Sequence, residues 1–185
     1  GNYIQSFRLK SVNTFPTRVL LKGKEQTFKT GKDYIVASFS ESGRGKGRVI
    51  YLDSAFFENE EAQKAFQSFS LKKNIVMYHD KWTPKIQQGQ NEFINKIQEA
   101  KAILVRKNKL TALPSSRAYS KPYFEVLDSI FPVYEETKIN SLVKTQNIRL
   151  GTEKVKFKVK AKLIEKQVSQ NVIGYVKGKK NPQKV

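Results

Sequence analysis

The stretch Lys154-Val155-Lys156-Phe157-Lys158-Val159-Lys160-Ala161-Lys162-Leu163 alternates basic and apolar residues over ten positions. A period of two is that of a β-strand. Val155, Phe157, Val159, Ala161 and Leu163 are therefore expected on a buried face, and Lys154, Lys156, Lys158, Lys160 and Lys162 on the opposite one. Alternate strand residues stand about 6.7 Å apart, so the five ammonium groups form a row about 27 Å long. Such a row can follow a phosphate backbone, where lysine acts as a point charge indifferent to base sequence. It can equally be a solvated strand face that guards an edge against aggregation, or a seat for an acidic subunit surface.

Around this strand the chain is strongly basic. Residues 137–185 hold 13 Lys and Arg against only Glu153 and Glu165, within a whole-chain balance of 35 Lys+Arg to 16 Asp+Glu and a formal charge of +19. Val168–Val176 is a weaker candidate for a partner strand. The chain then runs out through Lys177, Gly178, Lys179 and Lys180 with no apolar periodicity, and this tail is expected to be ordered only by contact with another molecule. We divide the chain into an α+β core domain, residues 1–136, and a basic C-terminal β segment and tail, residues 137–185.

The first 52 residues read as an antiparallel meander. Tyr3, Gln5, Phe7 and Leu9 alternate with Ile4, Ser6, Arg8 and Lys10, and Thr17–Lys22, Gln26–Lys29, Tyr34–Phe39 and Arg48–Leu52 are short runs rich in β-branched and aromatic residues. Glycines at positions 23 and 31 and the loop Ser40–Gly47 suit hairpin turns. Gly43-Arg44-Gly45-Lys46-Gly47-Arg48 is not a Walker loop, because Gly45-Lys46 is followed by glycine rather than Ser or Thr, and no helix is predicted after it. Nor is it a dinucleotide fingerprint, since a strand follows it. We read it as a hairpin tip whose Arg44, Lys46 and Arg48 can lie on a phosphate backbone.

Helical signals occupy the middle of the chain. Asn59 is an N-cap followed by Glu60 and Glu61, with Ala62, Ala65, Phe66 and Phe69 on one face. Asn74–Tyr78 has strand character, and Thr83-Pro84 opens a second helix whose apolar face is Ile86, Phe93, Ile97, Ala100 and Leu104, although Ala102–Val105 also suits a strand. Ser120 before Pro122 opens a third helix, with Tyr123, Val126, Leu127, Ile130 and Phe131 apolar, ended by Pro132. Lys107–Lys121 is a long loop, in or beside which Tyr119 and Tyr123 are candidates for exposed, base-stacking aromatics. The fold class expected is α+β: an N-terminal antiparallel β meander or small barrel, two or three central helices, and a C-terminal basic β-strand pair. Strands clustered at both ends argue against a doubly wound sheet.

Composition narrows the chemistry. There is no cysteine and His79 is the single histidine, which excludes thiolate zinc sites, thiol nucleophiles and multi-histidine cages. His79-Asp80 has no nucleophile to serve and is read as a turn. Asp33, Glu41, Asp53, Glu58, Glu60 and Glu61 could build a magnesium-dependent nuclease site only if they converged. No apolar run reaches the length of a membrane-spanning helix. The chain opens at Gly1 and its only methionine is Met77, which leaves both a processed start and a longer gene product open.

These observations lead us to expect a non-enzymatic structural or assembly protein of a large nucleic-acid-containing complex, a virus or phage particle first, held in an oligomer. Its partners would be a nucleic-acid backbone and neighbouring subunits, located in the virion or an intracellular nucleoprotein complex. No catalytic residue, metal, cofactor, small-molecule substrate or membrane is expected. The alternatives are a stand-alone, sequence-nonspecific DNA- or RNA-binding module and a metal-dependent nucleic-acid enzyme.

Overall fold

The computed structural model describes residues 4–14, 19–23, 26–88, 91–113, 115, 120–130, 139–143 and 148–172. In chain order these form β1 (Ile4–Thr14), β2 (Leu20–Lys22), β3 (Tyr34–Val36), β4 (Gly43–Leu52), α1 (Ser54–Phe57), α2 (Glu60–Ser68), β5 (Asn74–His79), α3 (Thr83–Gln88), α4 (Asn91–Gln98), β6 (Ala102–Lys107), β7 (Tyr123–Leu127), β8 (Ile139–Val143), β9 (Ile148–Val159) and β10 (Ala161–Val172). An eight-stranded mixed sheet runs β2-β9-β4-β5-β6-β7-β3, with β8 also paired to β9. β4 through β7 are parallel and in sequential order. The flanking pairs β9 on β4, β2 on β9 and β3 on β7 are antiparallel. β1 and β10 form a separate two-stranded sheet.

Parallel strands need cover on both faces. On the outer face it comes from helices. Ile50, Leu52, Val76, Tyr78, Ile103 and Val105 meet Phe56, Phe57, Ala62, Phe66, Ile86 and Ile97 in one buried cluster. The helices start where short polar side chains satisfy their free N–H groups: Asp53 accepts from the Phe56 N–H at 3.2 Å, and Asn59 from the Ala62 N–H at 3.0 Å. Phe57 stacks on Trp82 at 4.8 Å between ring centres and meets Phe56 edge-on at 5.1 Å, tying α1 to the turn before α3.

The inner face is covered by curling. Leu21 from one end of the sheet and Tyr34 from the other share a buried cluster with Val49, Ile75, Met77, Leu104, Phe124, Val126, Val155 and Phe157, and Phe28, from the β2–β3 connection, joins them. Strands at opposite ends of a seven-strand path can meet in one core only if the sheet bends round into a half-barrel.

Glycines make that bend close. Gly43, Gly45 and Gly47 alternate with Arg44, Lys46 and Arg48 along β4, so the expected hairpin tip is a strand. Gly45 stands opposite Phe157, and a Cβ on it would lie 2.8 Å from the ring. Phe157 covers the bare backbone, a pairing that pins register. A Cβ on Gly47 would lie 2.9 Å from the Lys73 carbonyl oxygen.

Several expectations are corrected. The N-terminal meander is overturned: β1 pairs with β10, β2 with β9, β3 with β7, and β4 with β5 and β9, so among the described residues none of the first four strands pairs with another of the four. The core is instead a mostly sheet structure built on parallel strands, not a meander followed by central helices. The helix expected after Ser120 is β7, ending in a 3₁₀ turn at Asp128–Ile130. Phe124, Glu125 and Val126 are buried in the sheet, and tertiary burial outweighs the helical spacing. The C-terminal strand pair is absent too: the ladder divides at Lys160, with β9 in the large sheet and β10 turned away onto β1. The Ser42 hydroxyl pins this break, donating to the Ala161 carbonyl at 2.8 Å and lying 2.9 Å from the Ala161 N–H.

Gly47→Ala is expected to destabilise the fold by about 1–3 kcal/mol, because the intruding methyl meets backbone that cannot rotate away. Exposed Arg48→Ala should change stability by less than about 0.5 kcal/mol. Urea denaturation of both variants checks this, and equal midpoints would contradict the close approach.

Candidate functional site

Two of the three parallel crossovers carry helices among the described residues. α1 and α2 join β4 to β5, and α3 and α4 join β5 to β6. Between β6 and β7 the described residues 108–113, 115 and 120–122 contain no helix. The helix layer therefore stops short, and a groove of about 360 Å³ opens over β6 and β7. Its floor is Tyr78, Ile103, Val105 and Tyr123, one wall is Ile86, Ile94 and Ile97, and Leu113 with Phe39 forms the other. Leu113 is 64% exposed, unusual for a large apolar side chain. The Tyr78 and Tyr123 hydroxyls lie 3.0 Å apart in a hydrogen bond, and Tyr123 meets Phe39 edge-on at 4.7 Å. A second pocket of about 240 Å³, lined by Ile35, Val36, Ala37, Thr111 and Ala112, adjoins the first and shares Phe39, Leu113 and Glu125 with it.

Polar groups in the groove are few. Asp80, Lys107 and Glu125 are its charged residues, with Thr83, Gln87 and Gln98 beside them. Lys107 Nζ donates to Glu125 Oε1 at 2.8 Å. Apolar walls with a small number of placed polar groups are the usual makeup of a ligand site.

A separate polar cluster closes the inner face at the carboxyl ends of the parallel strands. Arg106 donates to the Tyr51 hydroxyl and lies 2.5 Å from Asp128 through Nε and Oδ1. His79 stands between two carboxylates, with Nδ1 2.8 Å from Asp80 and Nε2 3.9 Å from Asp128. Nδ1 also lies 3.2 Å from the Lys81 N–H. A neutral ring accepts that hydrogen bond, whereas a ring protonated on Nδ1 donates to Asp80 instead. Burial is the main cause pushing the Tyr51 phenol above its ordinary range, with Arg106 pulling the other way and Asp128 and Asp53 adding to the rise.

Lys154, Lys156, Lys158, Lys160 and Lys162 are all exposed. Arg44, Lys46 and Arg48 are exposed too, directly opposite Lys158, Lys156 and Lys154 on the neighbouring strand. The ladder and the glycine-rich segment thus merge into one cationic face, a juxtaposition that sequence spacing did not reveal. Lys177, Lys179, Lys180 and Tyr119 lie outside the described residues. Tyr123 belongs to the groove floor rather than an exposed loop. Among the described residues no three His, Asp or Glu side chains gather into a metal-holding group, and no helix among them is long and apolar enough to cross a membrane.

No protein-family model and no curated protein sequence matches the chain. Its fold does match solved structures. Over 90% of its length it is similar to part of an aminopeptidase from Aneurinibacillus sp. strain AM-1, with a TM-score of 0.54 and 12% identity. A second match is the Peptidase M28 precursor from Shewanella amazonensis SB2B, at a TM-score of 0.48 and 9% identity over 91% of this chain. The chain spans only 36% and 40% of those two structures. This overturns the expected assembly protein of a nucleic-acid-containing particle, together with its DNA- or RNA-binding alternatives. The architecture is one found within part of an aminopeptidase chain, and the expectation of a protein unconnected with enzymes falls with it. The groove itself was missed because it is made by an absent helix. The one signal in the sequence was the aperiodic Lys107–Lys121, too short of helical pattern to cross the sheet as its two predecessors do.

Because folding raises the Tyr51 phenol above its unfolded value of about 10, the folded state holds that proton more tightly. Its contribution is fully present below about pH 10 and is lost as pH rises through the folded value. Wild type is expected to lose more stability than Tyr51→Phe between about pH 9 and about pH 11, read by denaturant titration at each pH. Equal losses in both proteins would contradict the assignment.

Proposed function

We propose that this chain is a polypeptide-binding module of a peptidase-type protein, and that the polypeptide lies in the groove over β6 and β7. The observation that carries this reading is the groove: an apolar trench left where the third crossover lacks a helix, walled by an exposed leucine and edged by a few polar groups. The likeness in fold to part of an aminopeptidase, whose name makes peptides its substrates, supports it. Apolar side chains of an extended segment would fill the space between Ile103, Val105 and Leu113, while Gln87 and Gln98 offer hydrogen bonds to its main chain.

A specific observation favours a second contact. Arg44, Lys46 and Arg48 face Lys158, Lys156 and Lys154 directly across neighbouring strands, an arrangement of like charges that destabilises a sheet. An anionic partner on this face would offset that repulsion. Lys156→Gln with Lys158→Gln should elute from immobilised heparin at lower salt than wild type, and unchanged elution would remove the anionic contact.

For the groove, a capped pentapeptide with a central norleucine is the probe. Titration should shift the NMR signals of Ile103, Val105 and Leu113 in preference to those of β9. Leu113→Asp, an exposed change that leaves the core alone, should weaken binding about 10- to 150-fold, the worth of burying one leucine. Shifts spread evenly over the surface, or affinity indifferent to Leu113→Asp, would refute the reading.

A further inference from the structure

Glu125 sits in the middle of β7, only 7% exposed, on the strand face that lines the groove. Its Oε1 is held by Lys107, but its Oε2 is buried and has no hydrogen-bond partner among the described residues. A buried polar atom left unpaired costs about 1–3 kcal/mol, more when it carries charge, and native structures seldom leave one without a use. Glu125 lines both of the adjoining cavities.

We propose that Glu125 makes the groove a subsite for an alkylammonium group, supplied by a lysine side chain or by the free amino terminus of a bound peptide. This deepens the polypeptide-binding reading and rests on it. Charge balance argues for a cation. The groove is lined by two carboxylates, Asp80 and Glu125, and one ammonium, Lys107, so a single positive guest brings the set to neutrality. Shape argues for an ammonium rather than a guanidinium. A guanidinium pairs best by forking onto both carboxylate oxygens, and Lys107 already occupies one; a point-charge ammonium needs only the other. The stem of a lysine would lie against Val105, Phe39 and Leu113, apolar surface that suits methylene groups.

Four pentapeptides with capped or free ends test this on the whole chain by isothermal titration: central lysine capped, central norleucine capped, central norleucine with a free amino terminus, and central arginine capped. Wild type is expected to bind the capped lysine peptide, the free-amine peptide or both at least about 10-fold tighter than capped norleucine, about 1.4 kcal/mol. Whichever carries the gain identifies the source of the ammonium. Glu125→Gln should bring all four peptides to within about twofold of one another. Lys107→Met, which frees the second oxygen, should raise affinity for the lysine peptide and admit arginine; this gain would not arise from a purely structural role and stands even if Glu125→Gln does not fold. Equal binding of charged and neutral peptides by wild type would overturn the subsite while leaving the groove a polypeptide site. A Glu125-dependent response to n-butylammonium chloride, with no peptide bound, would uphold the subsite and remove the polypeptide reading. An arginine peptide binding wild type as well as lysine would overturn the choice of ammonium.

Discussion

Four parallel strands that must be hidden from water on both sides set the terms for everything else in this structure. Helices from two crossovers cover the outer face of β4, β5 and the near side of β6. The inner face has no helices to call on, and the sheet covers it by bending until Leu21 and Tyr34, from opposite ends, share a core with Phe124 and Phe157. Three alternate positions of β4 lack side chains because Pro122 crowds Gly43, Phe157 of β9 crowds Gly45 and the Lys73 carbonyl crowds Gly47. The same demand for cover, left unmet by a helix after β6, produces the groove.

The chemistry of the two polar regions follows from which face each strand residue takes. Along β6, Arg106 points inward to Tyr51 and Asp128, while Lys107 points outward to Glu125. One step along a strand separates the Arg106–Asp128 ion pair of the inner face from the Lys107–Glu125 pair, whose second carboxylate oxygen has no hydrogen-bond partner. The inward cluster stitches the carboxyl ends of β4, β5, β6 and β7 together and makes their geometry firm. The outward pair stands on that firm base and faces the open trench.

What could be read from the sequence was what repeats locally. Val155, Phe157 and Val159 alternate with lysines and are buried, and Asn59 followed by Glu60 and Glu61 is a helix start. Asn74–Tyr78 reads as a strand because β-branched residues crowd there, whereas Ala102–Val105 suits either the end of the second helix or a strand and is β6. Pairing was not legible, because nothing in Leu20–Lys22 names a partner more than 130 positions away. Gly43–Gly47 reads as a loop since glycine is rare in strands, and only its neighbours in space, Pro122, Phe157 and the Lys73 carbonyl, explain it. Tyr123–Leu127 reads as a helix because a run of consecutive buried residues carries no alternation. Glu125 is a charged residue with no local signal of burial, so the site it belongs to lies beyond reach of local pattern.

The pairing of β1 with β10 has a kinetic consequence. Residues 4–14 meet residues 161–172, so this ribbon forms only after almost the entire chain has been gathered. The entropy of closing so long a loop must be met before any of its hydrogen bonds form. The β4–α1–α2–β5 and β5–α3–α4–β6 units, by contrast, bring together residues a few dozen positions apart. Assembly therefore starts in the interior of the sequence and works outward, and the end-to-end ribbon is the last part to zip and the first to open.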